Sequence, residues 1–259
     1  MKSRISSKMF ALGMASLMII SLLGAPFAPG GRVFAETAAA GYQEASVADI
    51  VYGADVTAAS ASQPITVKQA ADAAASYIQT KGVTMDWQAI ALARGSYTVQ
   101  PSYQIALEQQ VKEAKGIFAN ATDYARISLA VTSLGIDATD FAGYNLIEPI
   151  YNSGKLDDKP VNFYIYSLLA LDAGQYSVPE NALWTKDRLI DKIVSQQQSD
   201  GGFTYGGSSD PDLTAMVLTA LAAHMDKPEV KTAGDRAVAW LKTNQQPHGG
   251  YNSWGSDSS

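Results

Sequence analysis

The residues best placed for chemistry lie in Asp210-Pro211-Asp212-Leu213-Thr214-Ala215, two carboxylates flanking a proline at the head of an apolar run. A carboxyl group that donates a proton needs a raised pKa, which burial beside a second carboxylate supplies. The same segment suits a structural role, because aspartate is a preferred helix N-cap and Asp212 stands just before the apolar residues. Asp86 heads another such run without an acidic neighbour, as capping alone would have it. Both readings stay open at this level.

Aromatic residues form the second constellation. Tyr124 stands at the start of one apolar stretch, Phe163, Tyr164 and Tyr166 begin another, and Tyr205 and Trp254 follow two glycine-containing turns. Gathered at one end of a helix array, these rings together with Asp212 would floor a site for a flat or apolar ligand; ordinary inter-helix packing uses the same residue types. Other chemistries find less. A metal site of Asp210, Asp212 and His248 would draw His248 from a polar turn, and Asp157 and Asp158 read as a solvated turn, so no metal is assigned. Neither a phosphate-cradling Gly-Lys-Ser/Thr loop nor a Gly-x-Ser-x-Gly elbow occurs.

Composition narrows the field further. The 259 residues include two histidines and no cysteine, which excludes disulfides, cysteine nucleophiles and thiolate zinc sites. A net charge of −6 argues against a nucleic-acid partner. Residues 1–35 read as a secretory signal. Lys2, Arg4 and Lys8 precede an apolar run from Met9 to Leu23, and Val33-Phe34-Ala35 offers a cleavage site. The run is shorter than the roughly 20 residues of a membrane-spanning helix, so no stable span is expected after its removal. Four of the 19 basic residues and none of the 25 acidic ones lie in this segment, leaving 15 against 25, a net of −10. Residues 36–64, rich in Ala, Ser and Thr, bury too little to offset their ordering entropy and read as a flexible leader.

The elements that must position these groups are all helical. Amphipathic stretches near 66–80, 102–115, 141–151, 185–198 and 229–244 alternate with stretches apolar on nearly every face near 86–93, 122–135, 161–173 and 212–224. A helix apolar all round must be buried all round. Strict alternation of the two kinds therefore predicts an inner layer of helices enclosed by an outer one. A repeat marks the same architecture: Gln197-Gln198-Ser199-Asp200-Gly201-Gly202-Phe203 returns 48 residues later as Gln245-Gln246-Pro247-His248-Gly249-Gly250-Tyr251. The glycines suit a left-handed helix terminus, the glutamine can bond exposed backbone at the turn, and the aromatic would plug the seam between hairpins.

Leu241-x-x-x-Gln245-x-x-x-Gly249-x-Tyr251 and Ile193-x-x-x-Gln197-x-x-x-Gly201-x-Phe203 resemble the QW repeat of squalene and terpenoid cyclases. With Asp210-Pro211-Asp212-Leu213-Thr214-Ala215-Met216 and Gly143-Tyr144-Asn145-Leu146-Ile147-Glu148-Pro149, the chain looks closer to the secreted prenyltransferase-like repeat proteins of Gram-positive bacteria, over about residues 66–259. The resemblance implies an α/α toroid over 65–259, a six-hairpin barrel of which nine helices are counted here, so that the sequence is expected to hold about three quarters of one. Cyclases begin their reaction with a proton from an Asp-x-Asp-Asp-Thr-Ala motif. That match would make Asp212 the acid and Asp210 its neighbour, although Leu213 replaces the third aspartate. The prenyltransferase and thioester branches both need a cysteine, and the chain has none. The resemblance therefore points to an exported or cell-surface module binding a ligand or a cell-envelope component. The most specific candidate ligand is a corrinoid, cobalamin, because animal carriers share the toroid. A cyclase-like enzyme and a purely structural surface domain are the alternatives.

Overall fold

The computed structural model describes residues 66–253 and 256–257. The signal reading of 1–35, the leader reading of 36–64 and Trp254 lie outside the described residues. Nine α-helices follow one another: α1 Val67–Lys81, α2 Asp86–Arg94, α3 Pro101–Glu113, α4 Ala121–Ser133, α5 Glu148–Tyr151, α6 Val161–Ala173, α7 Lys186–Ser195, α8 Pro211–Leu221 and α9 Pro228–Asn244, counted among the described residues. A 3-10 turn, Ala222–His224, extends α8, and two-residue strands β1 Asn252–Ser253 and β2 Ser256–Asp257 pair antiparallel near the end. The protein is mainly helical. No helix among the described residues is long and apolar enough to cross a membrane.

The alternation in sequence becomes an alternation in space. Helix α2 packs on α4, α4 on α6 and α6 on α8, each skipping the helix between them in sequence. Three odd-numbered helices lie against this row, α5 on α4, α7 on α6 and α9 on α8, and α7 also touches α9. Burial follows. Helix α6 buries Val161, Tyr164, Ile165, Ser167, Leu168, Ala170, Leu171 and Ala173, residues on several faces, whereas α3 buries the single stripe Tyr103, Leu107 and Val111. A polar group survives in the row where the backbone satisfies it: Ser167 Oγ donates to Phe163 O at 2.8 Å.

One predicted helix is corrected. The surface helix expected over 141–151 is reduced to Glu148–Tyr151. Ala142 (φ 57°) and Gly143 (φ 85°) both take the left-handed conformation, which breaks a helix. Asn145 Oδ1 then accepts from Ile147 N and Glu148 N at 2.9 and 3.0 Å, an Asx turn that starts the short helix. The apolar stripe itself was real, since Phe141, Leu146, Ile147 and Ile150 are all buried, but a turn delivers it to the core.

The two copies of the repeat turn make the same bonds. Gln197 Nε2 donates to Gly201 O at 2.8 Å and Gln245 Nε2 to Gly249 O at 2.8 Å. In each, the backbone N–H of the second glutamine donates across the turn, Gln198 N to Gly202 O at 2.9 Å and Gln246 N to Gly250 O at 2.8 Å. Gly201 and Gly249 sit at φ 97° and 89°. At Gly201 the requirement is doubled, because a Cβ there would stand 2.9 Å from Arg236 O on α9.

Candidate functional site

The starts of the inner helices carry the chemistry, and the cap at α8 comes first. Its N-cap is Asp210, whose Oδ1 accepts from Leu213 N at 2.9 Å, and not Asp212, which occupies the second helical position and is exposed. Proline explains the shift: Pro211 is suited to the first helical position, where its missing N–H costs nothing, and that makes the residue before it, Asp210, the cap. Asp210→Ala is expected to lower stability by about 1 kcal/mol. Asp212→Ala should cost less than Asp210→Ala by urea unfolding, and a larger loss at Asp212 than at Asp210 would reverse the assignment.

Asp86 is not a cap either. It is the first residue of α2, only 8 % exposed, and its carboxylate is ion-paired with Arg126 of α4. Tyr103 of α3 donates to its Oδ1 at 2.6 Å. Burial pushes the Tyr103 hydroxyl strongly up and so keeps it a donor. Arg126 also lies 3.9 Å from Asp123. A carboxylate in this position ties two inner helices and one outer helix together.

The candidate aromatic residues separate into two groups. Tyr124 and Tyr164 hold the same place, fourth in α4 and α6, and both turn their hydroxyls to the preceding loop. Tyr124 donates to Gly116 O at 3.1 Å and accepts from Phe118 N at 2.9 Å. Tyr164 donates to Leu156 O at 2.8 Å, accepts from Lys159 N at 3.1 Å, and packs on Trp184 at 5.5 Å between ring centroids. Thr214, fourth in α8, repeats the device: it accepts from Phe203 N at 3.0 Å. These hydroxyls fasten loops to helices. Tyr164→Phe should therefore cost about 1 kcal/mol or slightly more through the stranded loop groups, measurable by urea unfolding. Phe163 is half-buried with Lys159 Nζ 5.8 Å from its ring centroid.

The second group converges. Tyr166 of α6 meets Trp87 of α2, with ring centroids 5.6 Å apart and planes tilted by 39°. Burial first, and then neighbouring Tyr205, push the Tyr166 hydroxyl up to about 12. Tyr205, 45 % exposed, is itself raised by burial first and then by the carboxylates of Asp210 and Asp212. Trp87 and Tyr166 are thus in contact, and the electrostatic influence of Tyr205 on Tyr166, and of Asp210 and Asp212 on Tyr205, links the start of α8 to that pair. Asn162 stands one turn before Tyr166 on the same face of α6. Its Oδ1 is buried and accepts no hydrogen bond among the described residues.

Sequence reasoning names Tyr166, Tyr205 and Asp212 as candidates and does not name Trp87. A signal was present, since Trp87 follows Asp86 as Phe163 follows Asn162, an aromatic after the leading polar residue in two of the inner-helix starts. His248 is exposed in its turn, and no group of three or more metal-ligating side chains occurs among the described residues. No family model, curated protein or solved structure matches the chain.

Proposed function

We propose that the protein is an export-directed helical-repeat module, its hairpins arranged as part of an α/α toroid, that binds a flat, partly apolar ligand at the starts of α2, α6 and α8. The observation that carries this reading is the Trp87–Tyr166 contact, which bridges two inner helices that are not sequence neighbours, with Tyr205 acting electrostatically on Tyr166. Packing by alternate helices supports the layered arrangement. Large aromatic faces flanked by a few polar groups are the usual lining of a small-molecule site. The resemblance to secreted repeat proteins names a corrinoid as the first ligand to try.

Calorimetric titration of the full chain with cobalamin tests the proposal. Saturable heat that is lost in Trp87→Ala and in Tyr166→Ala, with Tyr164→Phe unaffected, would support it. Binding that survives both aromatic truncations would move the site elsewhere. No heat with any corrinoid sinks the corrinoid. The cyclase-like alternative draws less support, because Asp212 is exposed and Asp210 is committed to the cap. Cyclised product from squalene or a prenyl diphosphate, lost in Asp212→Asn, would restore that alternative.

A further inference from the structure

We infer that residues 204–209 are a lid over the aromatic site, held at both ends and hinged at two glycines so that Tyr205 closes onto the bound ligand. The inference rests on the flat-ligand site proposed above and adds how that site is covered.

The ends of the loop are fixed. Phe203 is 0 % exposed and Asp210 8 %, and Asp210 N donates to Phe203 O at 2.8 Å, so the loop leaves and re-enters the fold at one point. Phe203 N donates to Thr214 Oγ1 at 3.0 Å, and Ser209 Oγ to Asp200 Oδ1 at 2.8 Å. A short surface loop with its ends together is an Ω-loop, a form that frequently carries function.

The tip is held differently. Tyr205, Gly206, Gly207 and Ser208 are all exposed. Gly206 (φ 138°) and Gly207 (φ 87°) take positive φ, and a Cβ on either would meet nothing within 4 Å. Gly202, at the base, is the opposite case, because a Cβ there would stand 2.5 Å from Ser209 Cβ. Close packing demands the base glycine, whereas backbone conformation alone demands the tip glycines, and the tip has room to turn. Within it, Gly206 N donates to Thr204 Oγ1 at 2.9 Å, an exposed bond that water can replace when the tip moves.

The loop is also in the right place. It leads into α8, and α8 packs on α6, the helix that carries Tyr166. The Tyr166 hydroxyl, raised first by burial, is raised further by Tyr205. At 45 % exposure the Tyr205 ring keeps apolar surface in water, which contact with a flat ligand would remove.

The chain has no cysteine, so Ser208→Cys puts a single thiol on the tip and Thr243→Cys a control thiol on the exposed side of α9. Each full-length variant is reacted with dithionitrobenzoate alone, with cobalamin, and with anilinonaphthalene sulfonate as a second flat probe. A probe that binds should slow the tip thiol about tenfold and leave the control thiol unchanged. Tyr205→Ala should abolish that protection. In stopped-flow binding it should raise the dissociation rate about tenfold and leave the association rate little changed. Saturable binding without protection of the tip overturns the lid and leaves the site standing. Protection that survives Tyr205→Ala does the same, since the ligand alone then shields the thiol. Binding by neither probe overturns the site and the lid together.

Discussion

Arg126→Met is expected to destabilise the protein by about 3 kcal/mol, although the arginine is one-third exposed and touches no ligand. The reason lies in what stays behind. Asp86 is 8 % exposed, and without the guanidinium its charge would keep the Tyr103 hydroxyl at 2.6 Å as its remaining side-chain donor. A buried carboxylate stripped of its counter-charge loses far more than the net worth of the pair, because the desolvation it suffered on folding is no longer offset. Water can still reach the vacated arginine side, which holds the cost to the lower end of the usual range. The double variant Asp86→Asn, Arg126→Met removes the charge with its partner and should recover most of the loss. Urea unfolding of the two single variants and the double variant measures the coupling directly. A single variant within about 1 kcal/mol of the parent, or a double variant no better than Arg126→Met, would show that the pair carries little.

That network also shows which parts of the molecule a sequence can and cannot display. The alternation of one-sided and all-round apolar helices is legible because it records burial, and burial is a property of local composition. The repeat turn is legible for a similar reason: Gly201 and Gly249 are demanded by backbone conformation, and the glutamines bond within their own turns. Asp86 is different. Its identity suggests a cap, and only the approach of Arg126, 40 residues away, and of Tyr103 from an outer helix makes it an ion-pair acceptor. The aromatic candidates divide along the same line. Tyr124, Tyr164 and Tyr166 look alike in sequence, yet two fasten loops and one faces Trp87. The fourth helical position turns toward the preceding loop and the sixth, in α6, toward another inner helix, α2, a distinction visible only once the helix starts are fixed. A misplaced start had the same effect on Asp210 and Asp212, where a shift of two residues exchanged the cap for an exposed carboxylate.

The two copies of the repeat turn are expected to respond very differently to loss of their aromatic residue. Phe203→Ala should cost about 4 kcal/mol and Tyr251→Ala about 1 kcal/mol. Their internal hydrogen bonds are equivalent, so the difference must come from what covers them. Phe203 is 0 % exposed, its N–H donates to Thr214 Oγ1 at 3.0 Å, and its carbonyl accepts from Asp210 N at 2.8 Å. Helix α9 clasps this turn from outside. Gln197 donates to Ala233 O, Arg236 to the carbonyls of Gln198 and Ser199, and Trp240 Nε1 to Asp200 Oδ2. A ring removed from such surroundings leaves a cavity that the clasp keeps from collapsing. Tyr251 remains partly exposed, so its removal leaves a space that water can enter. Chemical denaturation of the two alanine variants decides the matter. Equal losses would place the stabilising energy in the motif itself; unequal losses in the expected order would place it in the helix packed over the motif.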